Sequence, residues 1–256
     1  MPITLKSDDE IAVMREAGQI VGQALEHIRG MVRPGLNLLE VERFVRDEFK
    51  RRGAHETFRN YQPNSSFPPY PSNICISVNE QLVHGIPRDR VLEEGDVVTF
   101  DLGATYKGYV GDAAITVPVG KVSAKAQELI DVTEASLHAG IKAARTGKRL
   151  NDIRGAIEDT IRPHGFGIVK GYGGHGVGRS MHEEPHVENF RHRSRGPELR
   201  NGLVLALEPM VTLGDPDVVT CDDKWTVRTK DGSLCCHFEH TIAIREGREA
   251  EVLTLP

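Results

Sequence analysis

Hydrophobic residues recur at helical spacing through the first fifty positions of the chain. Ser7 and Glu10 have the spacing of a capping box, which marks the start of a helix predicted over residues 7–30. An Arg-Pro-Gly turn follows, and a second helix is predicted to open at Asn37 and to end at Gly53. The buried stripe of the first helix is predicted to consist of Ile11, Met14, Val21, Leu25 and Ile28.

The same pattern returns 112 residues later. Gly35 and Gly53, which flank the second helix, have counterparts at this offset in Gly147 and Gly165. A counterpart of the first helix is expected around residues 124–145. The apolar positions between the glycines also match, as Leu38, Val41, Val45 and Phe49 in the first copy and Leu150, Ile153, Ile157 and Ile161 in the second. This repetition predicts two halves built on one plan.

Two strands follow the helical pair in each half. EGDVVTFD at 94–101 resembles NGLVLALE at 201–208, and DAAITV at 112–117 resembles EHTIAI at 239–244. We therefore predict an α+β fold with a pseudo-twofold repeat, in which halves of about 7–120 and 121–250 share a central antiparallel sheet covered by helices. In each half one strand ends in a carboxylate and the next begins with one, namely Asp101 and Asp112, then Glu208 and Glu239.

These four carboxylates are predicted to converge. A tight turn at Lys107-Gly108 would place Asp112 opposite Gly103, and Asp101 lies two residues from Gly103 on the same face. The repeat brings the two glutamates to the equivalent place. Four anions cannot share a half-buried site unpaired, and the adjoining strand segments VVTF and LVLAL contain no Lys or Arg. Two bridged divalent metal ions solve this charge problem best.

One imidazole beside the carboxylates would suit Mn, Fe, Co or Zn, with Mg as a further option. His175 and His182 lie in the glycine-rich segment GYGGHGVGRSMHEEP, and His84 lies in the loop NEQLVHGIPRD. These three are the candidate site histidines. The other histidines are assigned structural or solvated roles, His237 and His240 among them, and strand alternation points His240 away from the face of Glu239.

The composition narrows the class of protein. A net charge of −5 over 256 residues argues against a broad nucleic-acid or membrane surface. The four cysteines form neither a C-x-x-C pair nor a disulfide framework. No apolar run approaches the ~20 residues of a membrane span, and the acidic start MPITLKSDDE is unlike a signal peptide. We expect a cytoplasmic enzyme with no nucleic-acid or membrane partner.

At this point the sequence resembles the type I methionine aminopeptidases of the pita-bread metallopeptidase superfamily. The resemblance implies a single catalytic domain over residues 1–256 with the pita-bread fold. It also implies removal of the initiator methionine from nascent proteins whose second residue is small, with a metal-bridging water as nucleophile. The motifs that carry it are VHGIP (83–87), DLGATYKGYVGDAAIT (101–116), GHGVGRSMHEEP (174–185), LALEPMV (205–211) and FEHT (238–241).

The resemblance also implies a role for each candidate residue. His84 and His182 would contact the substrate, and Glu208 would move the proton of the attacking water. Two divalent metal ions would be held by Asp101, Asp112, His175, Glu208 and Glu239, with Asp112 and Glu239 as the bridging pair. The methionine pocket would be formed by Cys75, Tyr70, Phe67, Met181 and Trp225. A monovalent-cation site would use backbone near Asn79, Gln81 and Cys235.

Within the superfamily the chain resembles the short, bacterial-style form. We expect it to lack the helical insertion of the type II enzymes, an N-terminal zinc-finger extension, and the extra domain of prolidase and aminopeptidase P. Two alternatives stay open, an X-Pro peptidase of the same superfamily and a non-catalytic binding module that kept the fold. The expected partners are nascent polypeptides and, transiently, the ribosome, and the protein is expected to be a monomer.

Overall fold

The computed structural model describes residues 2–256, which contain four α-helices arranged as two pairs. The predicted capping box of Ser7 with Glu10 is present, and Asn37, where the second helix is predicted to open, forms another with Glu40. Gly53 ends the second helix in the left-handed conformation, with a φ of 68°. The helices are α1 (Asp8–Met31), α2 (Leu38–Arg52), α3 (Ala124–Ala143) and α4 (Leu150–Ile161), and a 3₁₀ turn at Arg162–His164 follows α4. The predicted helix–turn–helix repeat is therefore confirmed.

The strands are short except for one central hairpin. In chain order they are β1 (His55–Glu56), β2 (Cys75–Val78), β3 (Gln81–Val83), β4 (Val97–Tyr106), β5 (Tyr109–Pro118), β6 (Gly167–Ile168), β7 (Gly174–Gly176), β8 (Glu183–Val187), β9 (Val204–Leu207), β10 (Met210–Thr212), β11 (Val218–Thr220), β12 (Val227–Thr229), β13 (Cys235–His237), β14 (Glu239–Ala243) and β15 (Glu251–Val252).

The main sheet runs in the order β1-β4-β5-β14-β9-β7-β8, with β2 also paired to β4 and β15 to β14. All of these pairs are antiparallel. The β4–β5 hairpin turns at Lys107-Gly108, and Gly103 lies opposite Asp112 as the two-residue turn predicts. The two halves meet where β5 pairs with β14.

Two smaller sheets, each of three strands, accompany the main sheet. One has the order β13-β10-β6 and the other the order β11-β12-β3. The pairing of Val227 with Val83 joins β12 to β3, so the loop that starts at His84 and the loop that holds Trp225 leave the sheet side by side.

Helix α1 packs directly on the β4–β5 hairpin. A Cβ atom on Gly111 of β5 would lie 2.5 Å from the backbone nitrogen of Gly18 in α1, so only glycine permits this approach. The largest hydrophobic cluster contains residues of all four helices and of both halves of the main sheet. Within residues 2–256 no helix is both long and apolar enough to cross a membrane.

Candidate functional site

Five adjacent strands of the main sheet each place one ligand-type side chain on the same patch. Asp101 comes from β4, Asp112 from β5, Glu239 from β14 and His175 from β7, while Glu208 directly follows β9. All five are buried, between 1% and 9% exposed. The structure thus brings together the four predicted carboxylates and one of the three candidate histidines.

The register of the central strands explains the convergence. Ala114 of β5 lies opposite Asp101 on one side and opposite Glu239 on the other. Asp112 is two residues from Ala114 and therefore shares its face of the sheet. Further across, His175 lies opposite Ala206 of β9. The strand alternation that predicted this face also sends His240 to the opposite one, where its Nδ1 lies 2.8 Å from Thr254 Oγ1.

The side chains are close enough to hold a metal ion. Asp112, His175 and Glu239 each offer a ligand atom, and these three atoms lie within 4.8 Å of one another. His175 Nε2 lies 3.6 Å from Glu208 Oε1. His175 Nδ1 donates a hydrogen bond to the carbonyl oxygen of Gly176 at 2.9 Å, so Nε2 is the ring nitrogen that faces the carboxylates.

The charges of the cluster are not balanced by basic side chains. Within residues 2–256, the ion-pair partners of these four carboxylates are histidines alone. Burial, followed by the neighbouring carboxylates, raises the pKa of Asp112 and Glu239 well above the usual range, and burial raises that of Asp101. Burial also opposes ionisation of Glu208, but the imidazoles of His237 and His175 outweigh this effect and lower the pKa of Glu208.

A cavity of about 370 Å³ opens beside the cluster. Its apolar wall is a packed group of aromatic and sulfur-containing side chains. Trp225 donates its indole N–H to Pro68 O at 3.0 Å, and Tyr70 donates its hydroxyl to Gly85 O at 2.9 Å, so both rings are fixed. The five predicted pocket residues, Phe67, Tyr70, Cys75, Met181 and Trp225, all line this cavity.

Cys75 lies where the apolar wall meets the carboxylates. It faces Asp101 across the β2–β4 pair and is 5% exposed. Burial and the charge of Asp101 raise the pKa of its thiol well above the usual range. The side chain is therefore a small neutral thiol at pH 7 and packs as an apolar residue.

The two remaining predicted histidines border the same cavity. Burial lowers the pKa of His84 to about 4, and its backbone has a φ of 59°. Burial, followed by the neighbouring His175, lowers the pKa of His182 to about 4, although the residue as a whole is exposed. Both imidazoles are thus neutral at pH 7.

Two residues at the site were not found from the sequence. His237 is 1% exposed and has its Nε2 3.4 Å from Glu208 Oε2. It ends β13 two residues before Glu239 begins β14, and alternation along this extended segment could have placed it on the same side as Glu239. The hydroxyl of Tyr61 lies 2.8 Å from His182 Nδ1. Tyr61 comes from an irregular loop, which gives no periodic signal.

A buried ion pair holds the segment that carries His182. Lys6 Nζ lies 2.6 Å from Glu183 Oε2, with the two side chains 6% and 14% exposed. Thr4 donates its hydroxyl to the same carboxylate oxygen at 2.7 Å. The backbone amide of Lys6 is bonded to Gly202 O, which joins this arm to the turn before β9.

Comparison with known proteins gives matches along nearly the whole chain. The model of metallopeptidase family M24 matches residues 12–246, which include all five residues of the cluster. The methionine aminopeptidase of Aquifex aeolicus is 46% identical over 247 residues, covering 95% of this chain and 96% of the relative. Methionine aminopeptidase 1 of Bacillus subtilis is 43% identical over 244 residues, with 95% and 96% covered. The crystal structure of the methionine aminopeptidase from Thermotoga maritima covers 100% of both chains with a TM-score of 0.95 and 42% identity.

Proposed function

The chain belongs to metallopeptidase family M24 and, within it, to the methionine aminopeptidases, and we propose that its four buried carboxylates and His175 hold two divalent metal ions for this activity. The pita-bread fold expected from the sequence is confirmed with the family. The activity is removal of the N-terminal initiator methionine. The relatives reported above are methionine aminopeptidases, which favours this activity over that of an X-Pro peptidase.

The donor set fits divalent metal ions. Among the residues described, Asp112 Oδ1 and Glu239 Oε1 are buried with no hydrogen-bond partner, as expected of oxygen atoms that serve as ligands. Without cations, burial and mutual repulsion raise the pKa of these carboxyl groups and oppose their ionisation. When bound, the ions supply an acidified water as nucleophile and stabilise charge on the scissile carbonyl oxygen. The convergence of five ligand side chains from five strands is the observation that carries the proposal.

The protein's own residues would then handle the protons. Glu208 has a lowered pKa and is therefore an ionised carboxylate, able to accept the proton of the attacking water and to pass it to the leaving amine. Asp101 would hold the free α-amino group of the substrate, which explains action at the N-terminus. Neutral His84 and His182 would bind the scissile amide nitrogen and carbonyl oxygen.

The cavity explains the preference for methionine. A methionine side chain is unbranched and polarizable, and sulfur and aromatic groups pack well against it. Tyr70, Cys75 and Trp225 supply such a surface next to the cluster. We propose that the following substrate residue must be small, because it has to pass beside His84 and the metal ligands.

The natural substrates would be nascent polypeptides, met transiently at the ribosome in the cytoplasm by a monomeric enzyme. A monovalent cation would bind backbone near Asn79, Gln81 and Cys235. The carbonyl oxygen of Asn79 accepts hydrogen bonds from the amide and the thiol of Cys235 at 3.1 and 3.2 Å. A cation at this oxygen would have to compete with that thiol.

The test is hydrolysis of Met-Ala-Ser by metal-stripped protein titrated anaerobically with Mn²⁺, Fe²⁺, Co²⁺ and Zn²⁺. We expect activity to return with up to two equivalents of ion, and no hydrolysis of Gly-Pro. Cleavage of Gly-Pro instead would favour the X-Pro peptidase. Absence of turnover with every ion would favour the non-catalytic binding module.

A further inference from the structure

The ring of His182 has one hydrogen-bond partner that the proposed chemistry does not use. Tyr61 Oη lies 2.8 Å from His182 Nδ1, and the two ring centroids are 5.5 Å apart. The ring of Tyr61 also stands 6.5 Å from Trp225, so it belongs to the packed aromatic wall of the cavity. On its other side, the ring of His182 lies 4.4 Å from that of His175.

The 2.8 Å contact makes the Tyr61 hydroxyl the hydrogen-bond partner of His182 Nδ1. A neutral imidazole has one N–H and one lone pair, and the partner of one nitrogen decides which is which.

The acid–base properties of the two groups set the direction of this hydrogen bond. A phenol is the stronger donor, and an imidazole nitrogen is the more basic acceptor. The favoured arrangement therefore has the Tyr61 hydroxyl donating to Nδ1. The proton of His182 then lies on Nε2, and an N–H at Nε2 is what a substrate carbonyl oxygen requires.

We propose that Tyr61 is a positioning residue that fixes His182 in the tautomer with the proton on Nε2 and so keeps it ready to donate to the scissile carbonyl. The importance of this tautomer for turnover rests on the substrate-binding role proposed for His182. The hydrogen bond itself does not rest on that role. The two parts can therefore be tested separately.

The tautomer of His182 is determined by ¹⁵N NMR of the full-length labelled protein, with and without diamagnetic Zn²⁺. The two nitrogens of a neutral imidazole have well-separated shifts, according to which of them is protonated. We expect Nε2 to carry the proton of His182 in the wild type and a mixture of tautomers in Tyr61→Phe. Tyr172→Phe is the matched control. Tyr172 borders the same cavity but packs its ring against His84, so the shifts of His182 should not change.

The kinetic arm uses Met-Ala-Ser. Loss of one hydrogen bond of ordinary strength in Tyr61→Phe should lower kcat about three- to tenfold, with KM within about twofold of the wild type. A wild-type proton on Nδ1 or an unchanged tautomer in Tyr61→Phe would overturn the proposal. An unchanged kcat in Tyr61→Phe would also overturn the proposal, even if KM rises or the tautomer of His182 changes. If the proposed function is wrong, the wild type will be inactive. The tautomer of His182 can still be determined by NMR in that case.

Discussion

Lys6→Met should destabilise the protein far more than a surface lysine substitution. Lys6 Nζ lies 2.6 Å from Glu183 Oε2 and its side chain is only 6% exposed. Removing the cation leaves a carboxylate that is largely buried, and breaking a buried pair costs about 3–5 kcal/mol. Glu183 keeps its bond from Thr4 and is 14% exposed, so we expect about 2–3 kcal/mol. For a chain of this size that corresponds to a fall in Tm of roughly 5–10 °C.

Calorimetry at pH 7 on the wild type, Lys6→Met and Lys107→Met measures this difference. Lys107 makes a bond of similar length, 2.8 Å to Glu16, but the two side chains are 53% and 47% exposed. Exposed pairs contribute about 0–1 kcal/mol, so Tm should fall by less than about 4 °C in this control. Equal falls in the two variants would refute the assignment of the effect to burial.

The pH dependence of the Tm difference between the wild type and Lys6→Met gives a second check on the role of this ion pair. Burial opposes ionisation of Glu183, but hydrogen bonds from Lys6 and Thr4 outweigh it and lower its pKa from 4.5. A carboxyl group whose pKa is lower in the folded state stabilises the fold above its unfolded pKa and loses that contribution as pH falls through the folded value. The Tm gap between wild type and Lys6→Met should therefore narrow below about pH 4.5. A constant gap would contradict the reasoning.

Three further predictions concern the site itself. Asp112→Asn and Glu239→Gln should each lose metal and activity, since each removes a proposed bridging ligand. Full activity together with a normal metal content, measured by atomic absorption, would exclude a dinuclear centre. His84→Ala and His182→Ala should retain metal while kcat falls ~10²-fold or more, and loss of metal would make that histidine a ligand. Met-Ala and Met-Pro peptides should be cleaved while Met-Lys, Met-Phe and Leu-Ala are poor substrates, and a thiol reagent on Cys75 should block substrate without displacing metal. Equal rates on Met-Ala and Leu-Ala, or turnover after proven modification of Cys75, would refute this pocket.

The central hairpin could be predicted because short-range rules determine it. A two-residue turn at Lys107-Gly108 fixes the pairing of Gly103 with Asp112, and alternation then puts Asp101 on the same face. The repeat extends the argument to the second half, where Glu239 lies opposite Ala114. Turn length and strand periodicity are local properties of the sequence and suffice for Asp101 and Asp112, whereas the two glutamates required comparison of the two halves.

The contacts that hold the site could not be predicted in this way. Tyr61 and His182 are 121 positions apart, and Lys6 and Glu183 are 177 apart. Tyr61 and His182 lie in loops, and Lys6 lies in the N-terminal arm while Glu183 is the first residue of β8, so no helical or strand periodicity relates the members of either pair. Tertiary packing alone brings such residues together, and one sequence contains no local trace of it.

Charge also separates the site residues that the sequence predicted from those that it did not. Four acidic residues on one buried face with no basic neighbour are conspicuous, because their burial is prohibitive unless cations join them. A tyrosine hydroxyl that orients a histidine creates no such imbalance, since both groups are neutral and each is ordinary in a folded protein. His237 lies between these cases. It is buried, its ring nitrogens have no hydrogen-bond partner among residues 2–256, and Glu208 Oε2 is 3.4 Å away, yet the sequence shows only one more histidine in a strand. Residues that carry the chemistry can therefore be predicted from unpaired charge, whereas the neutral residues that orient them require the structure.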